Sequence, residues 1–384
     1  MEHFSPIATT LLILTTLVIG ARTPATSARG GSVTEFAVPS DALKANLLGD
    51  PPEVKVAVYL PPGYNSHPNC RYPSLYLLHG YLGSVDYFGD LTDKPGDESL
   101  TGLLDAAMAQ AVASKMIVIV PEASNAYFGS FYANSVLIGN WEDAIVREVV
   151  PWIDSRFRTI GAPESRGIAG HSMGGYGSIM LAMKNPDVFG ALYALSPCCI
   201  ALIDDWGPEN VAWSKALRMR SQEELNAEPQ TFEELYPTIF IAMAAAFSPD
   251  PTGTGLRVRL PFAERAGHLI PDEPTYSAWK GSMPLYQVEQ YQDRLRRLRG
   301  IYLDFGAREE LTHIRSGTRM LSGELAALGI PHTFDVYADG THSSHLRQRI
   351  KSRLLPFFSE VLGGPACSEV RHLPGEHPVG QKYQ

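Results

Sequence analysis

Short, nearly continuous apolar runs separated by stretches of helical periodicity constrain this chain more than any other feature. Ser74 to Leu78, Met116 to Val120, Gly167 to Ala169, Ala191 to Leu195 and Ile301 to Phe305 read as strands covered on both faces. Between them, Leu100 to Ser114 and Trp141 to Phe157 carry apolar residues at helix spacing. Ile145, Val149, Trp152 and Ile153 trace one stripe of the latter, and Pro151 inside that stripe predicts a kink. Strands alternating with helices imply an α/β fold with a mainly parallel central sheet and right-handed crossovers. Val33 to Val38 and Val54 to Leu60 alternate apolar with polar residues, which suits antiparallel strands at one edge. Ligands in such sheets bind beyond the carboxyl ends of the strands.

The rhythm stops between about residues 197 and 298, where prolines, tryptophans and helical patches replace sheet strands. An interval of that length reads as an insertion, here a helical lid. Its most apolar part, Thr238 to Phe247, is expected to be a buried helix, with lining of an acyl pocket as the second reading. At the N-terminus an apolar stretch from Ile7 to Ile19 precedes small and polar residues, although no Lys or Arg comes before it. Residues 1–28 therefore read as a signal peptide, since a spanning helix needs about 20 apolar residues. The expectation is a secreted or periplasmic protein without a stable membrane anchor. The main domain then covers residues 32–362, and 363–384 read as a flexible tail.

A formal net charge of −9 excludes the clustered positive surface that nucleic acid requires. The local exception, Arg294 to Arg299 with leucines at helical spacing, reads as a solvated helix face. The acidic residues Asp86, Asp90, Asp93, Asp97 and Glu98 lack the spacing of a calcium loop. The four cysteines have no C-x-x-C spacing, so neither metal nor cofactor is implied. Adjacent Cys198 and Cys199 are compatible with buried thiols, or with one of them reaching Cys70 or Cys367, and connectivity stays open.

Chemistry concentrates at Gly170-His171-Ser172-Met173-Gly174. Placed between a strand and a helix, this G-x-S-x-G pattern is a nucleophile elbow, in which a strained turn lifts the serine hydroxyl clear of the sheet. A serine hydroxyl needs a base within hydrogen-bond reach and an acid to orient that base. In this arrangement the acid follows a late strand and the base a still later one. After Ile301 to Phe305, the turn at Gly306 leads to Glu309 and Glu310. Glu309 is favoured, with Glu310 open, while Asp304 at the strand end suits a structural hydrogen bond. His332 to Tyr337 alternates as a last strand, which puts His342 in the exit loop as the base. His345, at the start of the terminal helix, is its competitor; His171 is expected to pack against the elbow, and His313 lies too near the acid loop to be a separate partner. Charge on the former carbonyl oxygen needs two backbone donors. The amides of Met173 and of Tyr81, in the loop His79-Gly80-Tyr81-Leu82-Gly83-Ser84, are the candidates.

With HGYLGS, GHSMGG and DGTH in order, and with the run from Asn140 to Pro197 around the elbow, the chain resembles the esterase D superfamily of α/β-hydrolases over roughly Val54 to Val361, lid aside. That group contains S-formylglutathione hydrolases, feruloyl and acetylxylan esterases, enterobactin esterase-like enzymes and antigen 85 mycolyltransferases. The resemblance implies Ser172 as nucleophile, His342 as base, Tyr81 and Met173 as oxyanion donors, and Glu309 as acid where most relatives have aspartate. It implies an exported serine carboxylesterase acting on a small-molecule or polysaccharide-linked ester. The leader disfavours the cytosolic S-formylglutathione hydrolases. An acyltransferase of the mycolyltransferase type, using the same triad, and a non-catalytic binding member of the fold are the alternatives. Phe128 to Ser135 reads either as a wall of an acyl or aromatic pocket or as core packing.

Overall fold

A computed structural model describes residues 30–85, 99–229, 231 and 234–367. The expected leader, the acidic cluster from Asp86 to Glu98 and residues 368–384 of the expected tail lie outside the described residues. The central sheet has eight strands: β1 (Ser32–Pro39), β2 (Glu53–Leu60), β3 (Ser74–Leu78), β4 (Ile117–Pro121), β5 (Arg166–His171), β6 (Ala191–Leu195), β7 (Gly300–Gly306) and β8 (Thr333–Tyr337). Their spatial order is β1-β2-β4-β3-β5-β6-β7-β8. β2 runs antiparallel to both β1 and β4, and every other pairing is parallel.

Burial follows from position in that order. Every residue of β3, β4, β5 and β6 is buried, because helices cover both faces and the pleat sends alternate side chains to opposite sides. Val56, Tyr76, Ile119, Ile168 and Leu192 enter one core layer, and their neighbours Ala57, Leu75, Val118, Ala169 and Tyr193 enter the other. Edge strand β1 keeps the alternation visible in its sequence. The principal helices are α1 (Leu100–Ala109), α2 (Met173–Lys184), α3 (Tyr236–Phe247), α4 (Thr312–Ala327) and α5 (Leu355–Leu362). Ser99 starts α1 by accepting the amide of Gly102 on its hydroxyl (3.1 Å), the ordinary N-cap bond.

Around Pro151 the helix departs from regular α geometry. One α-helical turn (Trp141–Asp143) opens into a π-helical stretch (Ala144–Val149) before α-helix resumes at Val150–Arg156. A proline cannot donate to the carbonyl four residues back, and widening the preceding turn accommodates that missing bond. The device recurs at Ile350–Leu354, immediately ahead of Pro356 in α5.

The insertion holds α3, buried from Pro237 to Phe247, as the apolar run predicts. It also holds a hairpin that the sequence reading does not contain, Phe262–Arg265 against His268–Pro271. Ala266 and Gly267 both adopt positive φ (49° and 78°), the conformation of a two-residue turn that matches strand twist. The hairpin stays separate from the central sheet, so parallel-strand patterning could not reveal it.

The cysteines pair within two sets. Cys198 bonds Cys199, and Cys70 bonds Cys367 across a sequence separation of 297. Neither member of the adjacent pair therefore reaches Cys70 or Cys367. Ala366–Cys367 also pairs antiparallel with Cys70–Arg71, so the first residues of the segment read as a free tail are fastened to the body. Among the described residues, no helix is long and apolar enough to cross a membrane. A bond closing so long a loop restricts the unfolded chain strongly, and Cys367→Ser is expected to lower unfolding free energy by about 2–4 kcal/mol, measurable as a reduced urea midpoint with unchanged native circular dichroism.

Candidate active site

Strand β5 ends at His171 and α2 begins at Met173, which leaves Ser172 alone to make the turn, at φ 56° and ψ −114°. Such a conformation costs on the order of 1–3 kcal/mol for a residue with a Cβ and persists only where its surroundings hold it. Three backbone bonds do so. The Ser172 amide donates to Leu195 O (3.0 Å), and its carbonyl accepts from Tyr176 N (3.0 Å) and Cys198 N (3.2 Å). The flanking glycines are required by contact: a Cβ on Gly170 would lie 2.3 Å from Gly174 O, and one on Gly174 would lie 2.2 Å from Leu78 O. The turn places Ser172 at the carboxyl end of a central strand.

His342 lies in the loop after β8, and its Nδ1 is 3.0 Å from Glu309 Oε2. A carboxylate only accepts, so Nδ1 carries the proton and Nε2 keeps a lone pair. The other Glu309 oxygen accepts the Leu311 amide (3.3 Å). Glu310 takes a separate job, accepting the backbone amide of His342 on Oε2 (2.9 Å). The two adjacent carboxylates thus grip the same histidine by its ring and by its backbone. His171 supplies a third hold: its Nε2 donates to the His342 carbonyl (2.9 Å), and the two rings lie 4.6 Å apart. The remaining candidates fall elsewhere. Asp304 is fully buried in an ion pair with Arg349 and accepts from Tyr193 Oη at 2.6 Å. His345 is exposed at the start of a short helix. His313 Nδ1 bonds Asp205 Oδ1 at 2.9 Å.

Burial governs the charges. Glu309 is 2% and His342 is 6% exposed. Desolvation pushes the Glu309 carboxyl up to about 7, against the lowering effect of the Leu311 amide. Desolvation holds His342 well below its ordinary value, with the nearby His313 and Arg349 acting in the same direction. The imidazole is consequently neutral at pH 7, the state in which it can accept a proton.

The loop after β3 is braced by His79, which has no exposed surface. Its Nε2 accepts the Ala123 amide (2.8 Å), which leaves Nδ1 to donate to Gly80 O (2.8 Å). A Cβ built on Gly80 would be 3.6 Å from Ser172 Cβ, and one on Gly129 would meet both Met173 Sδ (2.7 Å) and Tyr81 Cδ2 (2.8 Å). The loop therefore packs directly on the nucleophile, with Tyr81 and Met173 side by side. Among the described residues, neither amide is spent on a turn or loop carbonyl. Met173, as the first residue of α2, also has no partner one turn back. Two backbone donors remain for a developing oxyanion.

Aromatic side chains enclose this region. Phe131 stacks on Tyr81 (6.2 Å between centroids) and meets Tyr176 (6.2 Å) and Phe247 of α3 (5.7 Å). Phe128, Phe131 and Tyr132 all hold positive φ (69°, 51° and 51°), so the loop's rings are placed by a strained backbone. The insertion is tied to the acid side by Asp205. Its carboxylate accepts the amides of Thr312 (3.0 Å) and His313 (2.6 Å) at the start of α4, and the Tyr236 hydroxyl (2.5 Å). Although burial opposes ionisation, the bonds from His313 and Tyr236 hold Asp205 below the usual carboxylate range. Glu310, His171 and Asp205 are site residues that sequence reasoning left without these roles. Only the adjacency of Glu309 to Glu310 and of His171 to Ser172 hinted at two of them.

A family model described as "Putative esterase" matches residues 51–346. The esterase Rv1288 of Mycobacterium tuberculosis is 33% identical over 133 residues, which is 34% of this chain and 26% of that protein. The S-formylglutathione hydrolase of Mus musculus is 28% identical over 164 residues, 40% of this chain and 55% of that protein. The chain thus spans between about a quarter and just over half of these relatives' lengths. A solved ferulic acid esterase superposes with a TM-score of 0.59 at 20% identity, covering 87% of this chain and 99% of that one. The fold is that of the α/β-hydrolases.

Glu309→Gln is expected to lower ester-cleavage kcat by about 10²–10⁴, by analogy with loss of a triad acid, while Glu310→Gln keeps activity within about tenfold. With Glu309 acting as triad acid, the deprotonated carboxylate would be the active form, and protons bind it as pH falls through its raised value. The acid limb of kcat/KM is accordingly expected to have its midpoint near 7, checked by a pH–rate profile.

Proposed function

Since the chain belongs to the esterase family whose model it matches, we propose that it is an exported serine carboxylesterase working through an acyl-enzyme with a Ser172–His342–Glu309 triad. The observation that carries this reading is the pairing of a strained serine elbow with a histidine whose Nδ1 is held by a buried glutamate at 3.0 Å. A serine in an ordinary turn has no need of either.

In the first half-reaction, Ser172 Oγ attacks the ester carbonyl as its proton passes to His342 Nε2. Glu309 stabilises the imidazolium through Nδ1 without taking the proton itself. The amides of Tyr81 and Met173 bind the oxyanion, an interaction worth about 2.7–4 kcal/mol per donor in comparable sites. Collapse breaks the bond to the alcohol, which leaves with the proton from His342. In the second half-reaction water gives its proton to the same nitrogen and attacks the acyl-serine, which releases the acid and restores Ser172. The buried aromatic cluster of Tyr81, Phe131, Tyr176 and Phe247 packs behind the elbow, and an aryl or short acyl group is the proposed substrate class on that ground. Export rests on the apolar leader at residues 7–19.

The test is turnover of p-nitrophenyl acetate, butyrate and octanoate and of methyl ferulate by the mature protein. Ser172→Ala is expected to lose turnover by about 10⁴-fold or more and to lose labelling by a fluorophosphonate probe. A labelled wild type that transfers its acyl group to an added alcohol faster than to water would point to the acyltransferase alternative. A wild type that neither labels nor turns over any ester refutes the assignment.

A further inference from the structure

The two disulfides are of opposite kinds. Cys70–Cys367 joins residues 297 apart in sequence, and Cys198–Cys199 joins residues 1 apart. A cross-link that restricts the unfolded chain gains with the length of loop it closes. A bond between neighbours closes almost no loop, so Cys198–Cys199 contributes little stability of that kind. Burial does not call for it either. Cys198 is 1% and Cys199 0% exposed, and buried free thiols pack as small apolar groups without being joined. What the bond adds is a small ring that contains the peptide between the two residues and removes backbone freedom at that one place.

That place adjoins the nucleophile. The segment leaves β6 through Ser196 at φ 41°, and Cys199 holds φ 65°. A Cβ on Gly175 of α2 would lie 2.9 Å from Pro197 Cα, and one on Gly317 of α4 would lie 2.9 Å from Ile200 Cβ. The Ser196 amide donates to Asp304 O (2.8 Å), the Cys198 amide donates to Ser172 O (3.2 Å), and Ile200 O accepts the Leu285 amide (3.3 Å). The bond to Ser172 O has the most direct consequence. That carbonyl and the Met173 N–H belong to one planar peptide unit, and among the described residues no peptide bond is cis. In a trans unit the C=O and N–H point in opposite directions. Whatever fixes the Ser172 carbonyl therefore aims the Met173 amide. Tyr176 N (3.0 Å) holds this carbonyl from within α2, and Cys198 N holds it from outside the helix.

We infer that the Cys198–Cys199 disulfide is a positioning element for the oxyanion hole: by restricting the backbone at Cys198 it keeps that amide on the Ser172 carbonyl, and so keeps the Met173 N–H aimed at the developing oxyanion. This rests on the serine-esterase reading. A donor aimed at charge that exists only in the transition state acts on kcat rather than on substrate binding.

The experiment first maps the bond and then removes it. Denatured wild type is treated with iodoacetamide in the absence of reductant, and Cys198 and Cys199 are expected to stay unalkylated; alkylation of both overturns the inference. Cys198→Ala/Cys199→Ala and, as the near-isosteric mimic of two free thiols, Cys198→Ser/Cys199→Ser are then compared with wild type and with Cys70→Ser/Cys367→Ser. The expected result is a kcat lower by about ten- to a hundredfold in both 198/199 variants, part of the roughly 10²–10³ that loss of a whole oxyanion donor costs. KM should stay within about threefold, the mark of an interaction made only in the transition state, and fluorophosphonate labelling of Ser172 should slow in parallel. Cys70→Ser/Cys367→Ser should show the reverse, a reduced urea midpoint with kcat within about twofold. Unchanged kcat in the 198/199 variants, or a loss confined to KM or to the urea midpoint, overturns the inference while leaving the esterase reading intact. Failure of both 198/199 variants to fold overturns it as well, since a local positioning bond does not govern folding. Absence of labelling and turnover in wild type overturns both readings.

Discussion

The structure depends on the backbone conformation of Ser172. With φ at 56° and ψ at −114°, the residue sits where a side chain is strained, and everything around it compensates. Gly170 and Gly174 let β5 and α2 approach to distances that any Cβ would forbid. The carbonyl of Leu195 and the amide of Cys198 clamp the turn from the neighbouring strand. Strain of this kind is tolerable because the sheet is buried on both faces, so the turn cannot relax without disturbing packed layers.

The sheet and the glycine-flanked serine turn were legible in the sequence for the same reason. Strands covered on both faces must be apolar throughout, and a left-handed serine between close-packed segments must be flanked by glycine, so both requirements write themselves into composition. Chain order pointed to His342 in the loop after β8, with His345 as competitor, and the structure sets His342 rather than His345 against Glu309. Which of the two glutamates faces the ring could not be read so directly. Glu309 and Glu310 are chemically identical neighbours, and their division of labour between ring and backbone of His342 is set by loop register rather than by residue type. The hairpin of Phe262–Arg265 and His268–Pro271 and the disulfide pairing were invisible because distance in space, not pattern, decides them. At Pro151 the missing donor that the sequence announces coincides with a π-helical stretch, which periodicity does not reveal.

Three carboxylates in the acid region illustrate how environment separates like groups. Glu309 is raised by burial and faces an imidazole; Asp205 is lowered by His313 and Tyr236; Asp304 is raised by burial against the opposing pull of its partner Arg349. Of the three, only Glu309 touches the ring of His342. The others anchor backbone and neighbouring side chains.

Asp205 has a mechanical meaning as well. It belongs to the insertion, yet its carboxylate closes the first turn of α4, two residues beyond the acid loop. Lifting that part of the insertion would strip a helix of its cap and leave His313 without its anion, at a cost of about 1–3 kcal/mol for the unmet donors. The start of the insertion is therefore a bracket rather than a door. A motion of the insertion that kept this bracket closed would hinge farther along the chain and leave the loop that sets Glu309 against His342 undisturbed.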